Sequence, residues 1–347
     1  MEALKNSPIS WENDFVGVEQ QELILMSLSQ LIIIRHMHVY PAFLDACLEY
    51  WNPVHHVFAF PDGEIFPLPE EFAPLGGWRV EMTPVIPEIL RGYKRKFMSD
   101  LGLSRAEADE MIVDGGVDLL AIAWKFQGKS GIHVNSAHRH RAFGFCMLHY
   151  YLFEGRIEAT SGIGEVQLLT GVEEMEGGRS PTWLVLAETI IGLDARNANP
   201  EAWSMLDPPV KPDVYKPTSL TSRKKLFHDG HYHNRPYWDG HLTFDGRHLI
   251  RWFVPWWHLT TLTGLADQDE HRSLLLLGLE NTVHPYPDRV LRQFGRQQTI
   301  LERDARLGAS MILTQAMCET WLTRWPERVV WPVPEQRQTT WVSRYFE

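Results

Sequence analysis

His228, His231 and His233 fall in an H-x2-H-x-H pattern, with Asp229 inside it and Asp239, His241, Asp245 and His248 nearby. Imidazole nitrogens and carboxylate oxygens bind zinc and other transition metals when they converge. On a strand His231 and His233 would share a face; on a helix His228 and His231 would. With Asp239 beside them, these histidines could support acid–base or metal-assisted chemistry. The spacing matches no established metalloenzyme pattern, and incidental histidines in a polar loop are the alternative. A second candidate is His56, next to His55, with Glu64, since a carboxylate beside an imidazole can move protons. Its structural alternative is a hairpin that seats the first helix against the core. His36-x-His38 and His138-x-His140 are flanked by Arg35, Arg139 and Arg141, which would repel a cation, so they read as helix-end histidines.

Two further sets point to binding rather than catalysis. Arg289, Arg292 and Arg296 share a segment and could contact phosphate or an acidic partner, or form a solvated helix face. Trp252, Trp256 and Trp257 could make a stacking platform or an anchor for a protein partner if exposed, and otherwise core. Several signatures are missing from the sequence: G-x-G-x-x-G, G-x-x-x-x-G-K-S/T, G-x-S-x-G and H-E-x-x-H. Cys47, Cys146 and Cys318 lie too far apart for paired-cysteine zinc spacing. They read as buried thiols in a reducing compartment.

The elements that must position these residues read as mostly helical. The 347 residues are 44% hydrophobic and 22% charged, which is a globular composition. Fourteen tryptophans and 12% aromatic residues predict a strongly aromatic core or groove. The net charge of −11 argues against nucleic-acid binding by the domain as a whole, because neutralising phosphates drives such affinity. No apolar run reaches the roughly 20 residues of a membrane span. MEALKNSPISWENDF has no apolar stretch of the secretory-signal kind, so secretion is not expected.

Taken in order, residues 1–20 read as a flexible arm and Gln21 to Trp51 as mostly helix. Val57 to Phe60, a turn at Pro61-Asp62-Gly63, and Glu64 to Phe66 predict a hairpin. Leu68-Pro69-Glu70-Glu71-Phe72 opens a helix that Pro74 should interrupt. Ser104-Arg105-Ala106-Glu107 is a capping-box pattern starting a helix to Val113. Val117 to Phe126 gives another. His138 to Phe153 is the strongest buried-helix pattern, with Phe143, Cys146, Met147, Tyr150 and Tyr151 on one face. Ser180 opens a helix through Ile191, closed by Gly192. Residues 195–245 are rich in Pro, Gly, His and Asp and read as a long irregular loop. Pro287 to Gly295 reads as a helix with proline at its start and glycine past its end. Arg303 to Trp325 reads as a final helix with Leu307, Met311, Cys318 and Leu322 inward. Residues 326–347 read as a tail along the surface.

PYPDRVLRQFGRQQTI resembles the P-x-RV-x-RQFG-x-Q-x-IP signature of the plant mobile domain, a module of plant transposable elements and of host proteins descended from them. Thr299-Ile300-Leu301 departs from it by lacking the proline. Arg251 to Leu265 is similar to the family's WVPWWxLTSLTGL segment, and LVLAETIIGLD to its ILAETIRGLD segment. His56, Phe58, Pro61, Gly63 and Glu64 fall at matching places in its hairpin motif. Gly76-Gly77-Trp78 stands where the family has Gly-Leu-Pro. The resemblance covers roughly residues 25–325 in patches and leaves out the middle loop.

It implies a domesticated transposon-derived plant protein in the nucleus, or otherwise the cytoplasm. There it would work in transposable-element silencing, genome stability and development, with a phosphatase-like protein partner. The family is sometimes called aminotransferase-like, but Lys125, Lys129 and Lys211 stand in no pyridoxal-phosphate context, and no cofactor is expected. The expected architecture is one large, mainly α domain over 21–325. It has a small β-hairpin near 56–66 and a long loop at 195–245. The expected function is a non-enzymatic protein–protein interaction module. The alternative is a recruited enzyme that uses the His-rich loop and an aromatic pocket on a small molecule.

Overall fold

The computed structural model describes residues 46–60, 63–86, 92–113, 116–126, 136–149, 160–162, 166–198, 261–266, 272–273, 275–285, 311–327 and 329–332. These form a mainly α fold with small antiparallel sheets, as the sequence predicts. The helices are α1 (Pro69–Gly76), α2 (Tyr93–Leu101), α3 (Arg105–Met111), α4 (Leu119–Phe126), α5 (Ser136–Leu148), α6 (Gln167–Glu176), α7 (Thr182–Ala198) and α8 (Gln315–Arg324). Strands are more numerous than the single expected hairpin. Among the described residues there are four three-stranded sheets, and most of their strands have only two to four residues. Such strands are too short to show the alternation by which a sequence announces a sheet.

The first sheet is the predicted hairpin with one more strand. Strand β1 (Trp51–Asn52) pairs with β2 (Val57–Phe60), which pairs with β3 (Gly63–Ile65). Asn52 shapes the β1–β2 turn by accepting from the Val54 and His55 amides with its Oδ1. The second sheet joins β4 (Ile112–Val113), β5 (Gly116–Asp118) and β6 (Thr160–Gly162). Strand β7 (Thr261–Ala266) pairs with β8 (Arg272–Ser273) and with β12 (Val329–Pro332). Strand β10 (Asn281–Val283) lies between β9 (Leu276–Leu277) and β11 (Met311–Ile312).

The helix starts follow local chemistry. Ser104 caps α3, and Glu107 returns the bond to the Ser104 amide at 2.8 Å. Helix α3 stops at Met111 rather than Val113, because the β-branched pair Ile112–Val113 turns into β4. Gly116–Asp118 is a strand, and only Leu119 onward is helical. The Asp118 carboxylate accepts from the Leu120 and Ala121 amides and so starts α4. Helix α1 holds Pro69 at its start and carries Pro74 inside, contrary to the expected interruption. It ends at Gly76, with Gly77 at φ 71° satisfying the last carbonyls.

Two further helix boundaries differ from expectation. Helix α7 starts at Thr182, since Ser180 is held in a bridge to Pro84, and it runs through Gly192 to Ala198. A mid-helix glycine costs about 1 kcal/mol. Burial of Leu193 and the contacts of Asp194 offset that cost. The final helix begins at Gln315, not Arg303. Met311 and Ile312 are strand, and Thr314 caps α8 by accepting from the Met317 amide. Met311 and Leu322 are therefore exposed, and the inward stripe is Cys318, Trp321 and Trp325. Leu307 lies outside the described residues.

Among the described residues two apolar cores share α7. The first gathers Phe97, Phe126, Phe143, Phe145, Leu168 and their neighbours from α2 to α6. Phe143, Cys146 and Met147 of α5 are buried in it, as their spacing predicts. The second joins Trp51 and Val57 of the hairpin, Leu276 and Leu277 of β9, and Cys318 and Trp321 of α8. Leu184 and Val185 of α7 face the first core, while Trp183, Leu186, Ile190 and Leu193 face the second. The first half of α7, buried from Thr182 to Ala187, thus carries apolar residues on most of its circumference and belongs to both.

Candidate functional site

Helix α7 brings two of its carboxylates against polar groups of other elements. Asp194, in its penultimate turn, faces the β1–β2 hairpin. Trp51 Nε1 donates to Asp194 Oδ1 at 2.9 Å, and His56 Nδ1 lies 3.2 Å from Asp194 Oδ2. His56 is 1% exposed and sits at φ 52°, a left-handed conformation uncommon for a residue other than glycine. The turn that Asn52 shapes and the pull of Asp194 together hold that geometry. The Trp51 ring lies beside the imidazole, with centroids 6.4 Å apart. The carboxylate that meets His56 therefore comes from α7. Glu64 sits on β3 opposite Ala59 and is half-buried.

Six residues earlier, Glu188 faces the turn between β9 and β10. Its Oε1 accepts from the Leu279 amide at 2.5 Å. Gly278 makes this approach possible, because a Cβ there would lie 2.4 Å from Glu188 Oε1 and 2.6 Å from Ile191 Cδ1. Burial pushes the Glu188 carboxyl up to about 7; the Leu279 N–H opposes this and the Glu280 charge adds to it. A carboxyl that titrates near neutrality is uncommon away from functional sites. Neither Glu188 nor Asp194 was marked by spacing as a site. The signal was two carboxylates in the otherwise apolar LVLAETIIGLD run.

A groove of about 210 Å³ is lined by Leu275, Ala316, Met317, Thr320, Trp321 and Arg324. Its floor belongs to an aromatic cluster. The Trp321 and Trp325 rings stack with centroids 4.9 Å apart, and Trp183 meets Trp325 edge-on at 5.2 Å. Trp321 Nε1 donates to the Leu275 carbonyl at 3.0 Å, which fixes the ring.

The thiols are not poised as nucleophiles. Burial pushes Cys47 up to about 12 and raises Cys146 and Cys318 as well. A thiol held protonated is a poor nucleophile and a poor metal ligand. Burial lowers His149 to about 4, so it is neutral at physiological pH. Among the described residues no group of three or more His, Cys, Asp or Glu side chains could hold a metal ion, and no helix is long and apolar enough to cross a membrane. His228, His231, His233, Asp239, Trp252, Trp256, Trp257, Arg289, Arg292 and Arg296 lie outside the described residues.

Comparison with protein-family models, with curated proteins and with solved structures gave no match.

Proposed function

We propose that this chain is a transposon-derived plant protein of the nucleus that acts as a non-enzymatic interaction module. Its partner would be a protein, phosphatase-like by the resemblance to the plant mobile domain. The contact between His56 and Asp194 is the observation that carries the reading. It joins two segments that resemble that family, the hairpin motif and LVLAETIIGLD, and it is a closed structural contact. An imidazole with 1% exposure cannot reach a substrate. The protonated thiols point the same way.

The second reading, a recruited enzyme, rests on the pattern of His228, His231 and His233. Metal analysis of the purified, tag-free chain separates the two. The interaction reading expects no stoichiometric metal, in the parent or in a His231→Ala/His233→Ala variant. About one equivalent of a transition metal, lost in the variant, would favour the enzyme.

A further inference from the structure

The groove on α8 has the form of an anchor pocket for side chains. Ala316, Met317, Thr320, Trp321 and Arg324 recur at helical spacing and make one stripe of α8, about 12 Å long at 1.5 Å per residue. Leu275, just before β9, completes the lining. The bond from Trp321 Nε1 to the Leu275 carbonyl holds the two sides together at 3.0 Å. At about 210 Å³ the groove is smaller than the roughly 300–1,000 Å³ of small-molecule and cofactor pockets. It has room for one or two large side chains. Met311 and Ile312 of β11, just ahead of α8 in the chain, are exposed, Ile312 at 79%. Single exposed apolar residues are ordinary, whereas neighbouring ones that lead into an apolar groove mark an interaction surface.

We propose that this groove docks a short amphipathic segment of a partner protein, one that presents a bulky apolar side chain with a single Asp or Glu carboxylate beside it. The proposal rests on the reading of the chain as an interaction module and adds the chemistry of what it binds. The apolar half follows from the walls. Leu275, Met317 and the Trp321 ring offer no side-chain partner to a polar group, since the Trp321 N–H is already bonded. A polar side chain seated there would be desolvated without compensation, whereas an aromatic or branched aliphatic one sheds unfavourable hydration. The Met317 thioether adapts its shape to either.

The carboxylate follows from charge complementarity. Arg324 is the one charged residue of the lining. Its guanidinium carries five N–H donors in a planar fork, so it can take a carboxylate alongside other bonds. The acid on the same helix, Glu319, accepts from Gln315 Nε2 at 3.2 Å. The net charge of −11 disfavours a long acidic tract, so the fit is to one carboxylate placed beside the apolar anchor. The anchor supplies most of the affinity, and the Arg324 contact fixes which way the segment lies.

Selection of a phage-displayed random peptide library on the purified full chain tests this. Ala316→Trp, which fills the groove from an exposed position, is the counter-target, and circular dichroism confirms its fold. Enriched peptides should share a Phe, Trp, Leu or Ile with an Asp or Glu within one turn. In fluorescence polarisation they should bind Ala316→Trp at least about tenfold more weakly than the parent. Arg324→Glu should weaken the same peptides by a similar factor and should select Lys or Arg in place of the acid; if it does not fold, Arg324→Gln serves for the affinity comparison. No enrichment on the parent, equal binding to folded Ala316→Trp, or a consensus without an acidic residue would overturn the proposal. So would a dimer of the parent in sedimentation that Ala316→Trp abolishes, since the groove would then hold a second copy of the chain. A partner bound through Trp256 and Trp257 with nothing selected on the groove would sink this proposal alone. A stoichiometric metal lost with His231 and His233 would instead sink the interaction reading, whatever the selection gives.

Discussion

Asp194 shows how much a single side chain can organise here. It accepts the indole N–H of Trp51 and meets the imidazole of His56, so one carboxylate satisfies two buried polar groups of the hairpin. Removing it strips an acceptor from both, and each buried polar group so deprived costs about 1–3 kcal/mol. Asp194→Ala is expected to lose about 2–4 kcal/mol of stability in urea unfolding on that basis. Asp194→Asn, which keeps an acceptor, should lose less. Equal losses would mean that charge rather than hydrogen bonding holds the hairpin. Sequence alone could not have paired these residues. Trp51 and His56 lie 143 and 138 positions from Asp194. Leu279 lies 91 positions from Glu188. What the sequence did offer was two acids in an apolar helical run, which signals buried partners without naming them.

Among the elements, legibility tracked locality. The start of α3 was readable because Ser104 and Glu107 complete their bonds within four residues. Ser104→Ala should cost about 1 kcal/mol, read as a shift in urea midpoint at unchanged slope. Glu107 adds a pH signature. The Lys125 ammonium and the Ser104 cap hold its carboxyl down to about 2. Its contribution is present above the ordinary carboxylate range and is lost as pH falls toward 2. The stability difference between Ser104→Ala and the parent should therefore shrink on acidification. A constant difference would separate the cap from Glu107 ionisation.

The ends of α7 and the start of α8 were misread because tertiary contacts decide them. Gly192 looked like a stop, yet Leu193 is buried beyond it. Met311 fits a helical stripe, yet β10 recruits it into a strand. Strands of two or three residues left no periodic trace. Within the second core, Trp183 packs against both Trp321 and Trp325. Trp183→Ala should cost about 3–5 kcal/mol. A loss under 1 kcal/mol would show that the aromatic cluster is not structural.

At the scale of the molecule, two cores are joined through α7 and clasped by the β9–β10 turn. A surface network adds to the first core's cohesion. Lys96 bridges Asp100 and Glu173, and Arg141 pairs with Glu176, so α2, α5 and α6 are tied by charge as well as packing. The pairs open to solvent contribute little singly, on the order of 0–1 kcal/mol, whereas the Asp100 carboxylate is buried. The buried polar contacts are spent on joining segments to each other, which suits a scaffold for a partner. The most direct test of that account is calorimetric titration of the purified full chain with a phosphatase-like protein of the kind the resemblance implies. The account predicts saturable one-to-one binding, weakened at least tenfold by Trp256→Ala/Trp257→Ala with the fold retained. No binding by the folded parent chain, or binding untouched by that substitution, would contradict it.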